Sequence, residues 1–276
     1  MTIERIEGAS DARAAAYRDL SDGELLRSRG VFVAEGRLVV RRLIEERRFT
    51  IESLLLNDSA LRDLEPAIRR LDSAVAVLVC RTDAFAQLTG YNIHRGCLAL
   101  VRRPPPIAAA SLIASAPRLI VLDGVTNADN VGGVFRNAAA FDADGVLLSP
   151  TTCDPLYRKA IRTSMAAALQ VPFARAATEE WDGVVGDLRA AGFAVVALTP
   201  REPSEPLDLF AARPRPPRLA LLVGGEGAGL SSAIESAADY RVRIPISSRV
   251  DSLNLAVAAG IALARLAIEP HRSAGL

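Results

Sequence analysis

The sequence predicts an α/β protein in two parts: a C-terminal domain built on a mostly parallel sheet, preceded by a smaller α/β domain. Three observations lead there. The 276 residues are long for one ordinary domain and comfortable for two. Short apolar runs alternate with amphipathic stretches, the pattern of strands and helices in sheets covered on both faces. The alternation breaks once, at Arg102 to Ala110, where three successive prolines can continue neither a helix nor a central strand. The boundary is set there, giving domains 1–104 and 105–276.

In the first domain, Asp11 to Arg29 is charged and reads as helical. Val31 to Glu35 is a strand, and Arg37 to Arg48 a helix with Leu38, Val39, Leu43 and Ile44 on its apolar face. A strand follows over Ile51 to Leu56, a helix over Ser59 to Arg70, a strand over Ala74 to Cys80, a short helix over Asp83 to Leu88, and a strand over Cys97 to Val101. The second domain begins with a buried strand, Leu119 to Leu122, then a helix from Asn130 to Phe141 capped by Asp129 or Asn130. Strands over Gly145 to Ser149, Ala194 to Leu198, Leu219 to Val223 and Arg241 to Ile246 follow, with a helix over Asp154 to Leu169. The proline-rich stretch 213–217 is a loop, and a helix opened by Ser252 and Asn254 runs to about Ile268. That last helix is apolar around most of its circumference, which predicts burial in a subunit interface.

Composition narrows the functions. Half the residues are hydrophobic and about a quarter charged, a globular balance. The first residues are polar and mixed in charge, no apolar run reaches the roughly 18–20 residues of a membrane span, and the expected location is the cytoplasm. Three cysteines without CxxC spacing argue against a disulfide framework and against zinc. Cys80 and Cys97 read as small core residues. The only histidines, His94 and His271, leave no metal-binding cluster and no basis for a Ser-His-Asp triad. A net charge of +1 does not announce a nucleic-acid binder, although Lys159 is the only lysine among 33 basic residues. Arginine suits bidentate phosphate contacts.

Polar residues gather at three strand ends, where open α/β sheets bind ligands. The first cluster, Leu122 to Arg136, is a strand, a polar loop and a helix carrying Asn130 and Arg136. The second, Leu221 to Leu230, is a buried strand running into glycines 224, 225, 227 and 229 around Glu226. Glycines there permit close backbone approach to a ligand, but neither GxGxxG nor a Gly-Lys-Ser/Thr ending is present, so a nicotinamide fold and a P-loop are disfavoured. The third, Arg243 to Ala259, holds Ser252 and Asn254 ahead of an apolar helix, where a buried unpaired amide would be costly.

Together these clusters resemble the three motifs of the SpoU family (also called the TrmH family) of RNA ribose methyltransferases, in the SPOUT superfamily. The matching segments are Asn130-x-Gly132-x-x-x-Arg136, then Gly224-x-Glu226-Gly227-x-Gly229-Leu230, then Ile244-Pro245-Ile246 followed by Ser252-Leu253-Asn254. Two positions depart from the family: Gly225, often asparagine, and Ser248, often glycine. The first domain is similar to the ribosomal-protein-L30e-like substrate-binding domain of the family, through Phe32 to Gly36 and Gly96 to Val101.

The resemblance implies a SPOUT-type sheet with a deep trefoil knot, which general topology rules would not suggest. It implies S-adenosylmethionine as cofactor, held by Leu198, Thr199, Gly224, Gly225, Glu226, Gly227, Ile244, Ile246, Ser252 and Leu253. Arg136 becomes the central catalytic residue, with Asn130, Glu226, Ser252 and Asn254 around it. A guanidinium is a poor base, its pKa being roughly 12.5–13.8, so phosphate clamping is favoured over direct proton abstraction. The substrate would be structured RNA, ribosomal before transfer RNA, gripped by Arg41, Arg42, Arg47 and Arg48, and the enzyme a homodimer joined through the knotted domain. Two alternatives stay open: a catalytically silent RNA-binding protein of the same fold, and a SPOUT enzyme that methylates a base.

Overall fold

The computed structural model describes residues 2–8, 11–18, 22–89 and 96–266. His94 and His271, and the expected end of the last helix at Ile268, lie outside the described residues. The chain forms two compact units: Met1–Pro105 with Leu156–Ala166, and Pro106–Pro155 with Ala167–Leu276.

The first unit carries β1 (Thr2–Arg5), α1 (Asp22–Arg29), β2 (Val31–Glu35), α2 (Arg37–Glu46), β3 (Ile51–Asn57), α3 (Asp58–Ile68), β4 (Ala76–Cys80), α4 (Thr82–Thr89) and β5 (Cys97–Arg102). Its sheet has the order β1-β4-β3-β5-β2. β3 lies parallel to β4 and β4 to β1, whereas β5 is antiparallel to β3 and β2. Asn57 joins β3 to α3 without a loop, its side-chain oxygen accepting from the Ala60 N–H at 2.8 Å as an N-cap. Cys80 and Cys97 are buried in this sheet, and burial pushes their thiols up, to about 11 and about 12.

Two elements differ from expectation here. The helix expected over 11–29 is a 3₁₀ turn, Ala12–Tyr17, and the separate α1; Asp11 caps the turn and pairs with Arg13, and Arg18 then turns extended. The strand β1 was not expected. A four-residue edge strand with Ile3 exposed has no apolar run to betray it.

The second unit holds α5 (Ala109–Ser115), β6 (Arg118–Asp123), α6 (Ala128–Ala140) and β7 (Gly145–Leu148). The chain then contributes α7 (Arg158–Thr163) to the first unit, against β2, where the Arg158 Nε donates to Asp22 at 2.9 Å. Back in the second unit come β8 (Phe173–Arg175), α8 (Thr178–Trp181), α9 (Val184–Ala190), β9 (Ala194–Leu198), β10 (Glu205–Pro206), α10 (Leu207–Ala211), β11 (Leu219–Gly224), α11 (Ser232–Ala237), β12 (Tyr240–Arg243) and α12 (Leu255–Leu266).

The single helix expected over 154–169 is therefore broken. Met165 and Ala166 take positive φ, 53° and 72°, and the Ala166 N–H returns to the Ile161 carbonyl at 3.0 Å, closing the helix as a glycine would. A short 3₁₀ turn, Ala167–Leu169, follows.

All seven strands of the second sheet are parallel, in the order β10-β12-β9-β11-β6-β7-β8. β6, β7 and β8 step outward in one direction. β9 and β10 lie on the other side, and β11 and β12 are then inserted between strands already laid down. The carboxyl ends of β6, β9, β11 and β12 converge as a result. One face is covered by α5, α9 and α11, with Leu112, Leu188 and Ile234 packed on Val121, Val195 and Leu222. On the other, α6 and α12 pack tightly together: a Cβ on Gly133 would stand 2.5 Å from that of Ala256.

Among the described residues no helix is long and apolar enough to cross a membrane.

Candidate active site

β6 ends in Asp123, and the polar loop after it starts α6 at Ala128. Asn127 is the N-cap, its side chain accepting from the Asp129 N–H at 2.9 Å. This corrects the expected cap at Asp129 or Asn130 and leaves Asn130 inside the first turn, buried. β11 runs directly into the glycine loop. Gly227 and Gly229 hold φ of 81° and 70°, a conformation favouring glycine. At Gly224 a Cβ would meet Gly229 and Leu230 backbone at 2.1 Å, and at Gly225 the Gly124 carbonyl oxygen at 2.5 Å. The backbones are thus too close for a side chain at 225, one of the two positions that depart from the motifs.

β12 stops at Arg243 rather than at Ile246 because Pro245 has no N–H for the ladder and restricts the residue before it. α12 starts at Leu255, not Ser252. The capping side chain is Asn254: its oxygen accepts from the N–H groups of Ala256 and Val257 at 3.0 and 3.2 Å. With that oxygen engaged, the Asn254 amide nitrogen donates to the Asn130 side-chain oxygen at 2.9 Å. Asn130 in turn donates to Glu226 Oε1 at 2.6 Å. The direction of this relay is fixed at both ends, by helix N–H donors at Asn254 and by an acceptor-only carboxylate at Glu226.

The relay borders a cleft of about 440 Å³ at the strand ends. Its walls are Leu198 to Pro200 after β9, Val223 to Gly227 with Gly229, Ile244 and Ile246 after β12, and Ser252 to Leu255 with Ala258. The structure thus brings together on one cleft all ten positions named above for the cofactor.

Arg136 is elsewhere. Six residues along α6 from Asn130, it is displaced about 9 Å and about 120° round the helix. It is exposed and makes no hydrogen bond or ion pair among the described residues. The helix expected to reach Arg48 ends at Glu46, where Arg47 turns left-handed (φ 51°) as its C-cap; Arg41 donates to the Asp63 carbonyl, Arg42 to that of Met165 and Arg47 to that of Arg70, at 3.0–3.1 Å. Arg48 is exposed.

Several supporting residues escaped sequence reasoning. Glu235, at the start of α11, is buried and accepts from Thr199 Oγ1 at 3.0 Å, Arg201 Nη1 at 2.6 Å and Arg241. Burial raises its carboxyl pKa, but the hydrogen bonds from Arg241, Arg201 and Thr199 outweigh this and hold it below the ordinary value. Arg201 also donates to the carbonyls of Ala228 and Leu230. No sequence signal marks Glu235, which stands among small polar residues like a surface glutamate. Gly133 and Gly260 did leave one, as glycines inside helices: Asn137 donates to the Ala256 carbonyl at 2.7 Å, and a Cβ on Gly260 would stand 2.9 Å from the Asn137 amide.

A cleft of this size, with apolar walls, a glycine lip and one carboxylate, fits an organic cofactor with a flat apolar part and a polar tail. Comparison with known proteins says which. The fold recurs in the AdoMet-bound rRNA methyltransferase of Sinorhizobium meliloti, with a TM-score of 0.78 and 26% identity over 96% of this chain and 97% of that one. An RNA 2′-O ribose methyltransferase superposes with a TM-score of 0.74 at 25% identity, over 95% and 97% of the two chains. Fold and site together define an RNA methyltransferase that uses S-adenosylmethionine. A Mycobacterium bovis protein described as an uncharacterized tRNA/rRNA methyltransferase is 37% identical over 95% of this chain and 91% of its own. The chain belongs to the SpoU rRNA methylase family, whose model matches residues 117–264.

Proposed function

We propose that this enzyme methylates a ribose 2′-hydroxyl of structured RNA, ribosomal RNA being the first candidate and transfer RNA the second. The observation that carries the reading is the uncommitted guanidinium of Arg136, on the same helix as the locked amide of Asn130. A ribose 2′-hydroxyl within an RNA strand has a phosphate for a neighbour, and a free guanidinium is the side chain suited to grip it bidentately. The likeness to a protein described as a 2′-O ribose methyltransferase supports the same chemistry.

S-adenosylmethionine, when bound, supplies a methyl group on a positively charged sulfur. Leu198, Thr199, Gly224, Gly225, Gly227, Ile244, Ile246 and Leu253 hold it in the cleft, and Glu226 and Ser252 shape the site's polar end. Asn254 and Asn130 keep Glu226 in one orientation. Arg136 clamps the phosphate beside the reacting ribose, and the proton of the 2′-oxygen leaves to a phosphate oxygen or to water. Alignment of the hydroxyl supplies much of the rate advantage.

α12 presents Val257, Ile261 and Ala264 to solvent as one row, and Ile246 and Val250 just before it are exposed as well. Covering that row with a second copy makes a homodimer in which Arg136, off its own cleft, completes the partner's. The insertion of β11 and β12 between earlier strands supports the trefoil knot of the family. The first unit serves as the L30e-like RNA grip, with Arg41 and Arg42 on α2 and Arg47 and Arg48 just beyond its end.

The test is transfer of labelled methyl from S-adenosylmethionine into separate ribosomal and transfer RNA pools from a strain lacking the protein, followed by nuclease digestion. Label in a nuclease-resistant dinucleotide supports ribose methylation and selects the pool. Label recovered on a base overturns it in favour of base methylation. No transfer despite bound cofactor favours the silent RNA-binding module.

A further inference from the structure

We propose that Arg201 is a positioning residue for the cofactor: it latches the glycine lip of the cleft to the strand end opposite, so that the site is shaped before S-adenosylmethionine arrives. The inference rests on cofactor use and is independent of which RNA group is methylated.

Four of the six residues from Gly224 to Gly229 are glycine. Such a segment loses more conformational freedom on ordering than any other, so a cofactor that had to order it would bind correspondingly weakly. The lip's internal bonds, from the N–H groups of Gly229 and Ala228 to the carbonyls of Gly225 and Glu226, are local and do not fix where it stands. On one side it is tied by the Gly225 N–H to the Asp123 carbonyl at 2.9 Å and by Asn130 to Glu226. On the β9 side the tie is Arg201, which reaches the carbonyls of both Ala228 and Leu230.

The latch is itself anchored. The Thr199 hydroxyl accepts from the Arg201 N–H at 3.2 Å and donates to Glu235 at 3.0 Å, so its one proton is committed. Glu235, 2% exposed, binds Arg201 and Arg241 together. One buried carboxylate on α11 thus joins β12, through Arg241, to the segment after β9, through Thr199 and Arg201, and Arg201 carries that rigidity to the lip. Thr199 lines the cleft directly, so the anchor and the wall are the same residue. A planar fork is required: lysine could replace the charge at Glu235 but offers a single point donor in place of two nitrogens aimed at separate carbonyls.

The experiment is calorimetric titration of S-adenosylmethionine into the full chain as wild type, Arg201→Ala and Arg201→Lys. Thermal midpoints and hydrogen exchange of the backbone amides 226–231 are measured without cofactor. The expected result is a Kd raised about tenfold or more in both variants and faster exchange across the lip. Arg201→Lys should recover most of the thermal midpoint without recovering the affinity. Wild-type Kd in both variants overturns the proposal. So does recovery of midpoint and affinity together in Arg201→Lys, which would mark a purely structural ion pair. The wild-type titration alone reads cofactor use, separately from the latch.

Discussion

Asn254 caps a helix with one end of its amide and orients Asn130 with the other, and a single substitution separates the two tasks. In Asn254→Asp the carboxylate still accepts from the Ala256 and Val257 N–H groups, and a negative charge suits a helix N-terminus. It cannot donate to Asn130, so the relay loses its direction. Thermal stability should stay within about 1 kcal/mol of wild type, while methyl transfer falls more than about tenfold. Unchanged transfer would remove the relay from the mechanism. Arg136→Ala is the complementary case: transfer should drop by roughly 100-fold or more, with the calorimetric Kd for the cofactor unchanged. The sequence marked Asn130, Glu226 and Asn254 through their motifs, and marked Asn254 as a polar oddity before an apolar helix. It could not show that they touch, because the partners lie 96 and 124 residues apart and meet only through the strand order.

Between elements, the contact of α6 with α12 sets how accurately Asn130 faces Asn254. Gly133→Val places methyl groups where Ala256 already stands, a Cβ contact of 2.5 Å. The cost should be about 1–3 kcal/mol in chemical denaturation, with transfer reduced as the helices part. Gly186 in α9 is the control: nothing lies within 4 Å of a Cβ there, so Gly186→Ala should be neutral or stabilising by up to about 1 kcal/mol. Legibility at this scale followed length and pattern. Val31–Glu35 and Ala194–Leu198 were read to the residue, being apolar runs with clear ends. β10, of two residues, and α8, of four, are too short for any periodicity to register. The break at Met165 and Ala166 carries neither glycine nor proline, so nothing in composition announced it.

Across the whole molecule, the parallel character of the second sheet was legible from its buried strands. Its order was not, because β11 and β12 are inserted by tertiary packing that no local pattern encodes. Glu235 gives a prediction at this scale. Its carboxyl pKa is depressed in the folded state, so its stabilisation is complete above the unfolded value of about 4.3 and is lost as the pH falls through the folded value. Glu235→Gln should therefore lower the thermal midpoint at neutral pH and flatten its acid-side decline; parallel curves for the two proteins would count against the pairing. The paired change Val257→Glu and Ile261→Glu should yield monomers in sedimentation that bind cofactor but transfer poorly. The excursion of residues 156–166 also sets a timetable for synthesis. When Pro105 is made, all five strands of the first sheet exist, yet α7 is still roughly 60 residues away, about 3–12 s at ribosomal speed. Through that interval Asp22 and Glu35 lack Arg158 and Arg162, their partners in the finished unit. α7 becomes available to the first unit only after β6, α6 and β7 of the second have been translated, so the two units are completed in interleaved order, and a pause before codon 158 would prolong the exposure of both carboxylates.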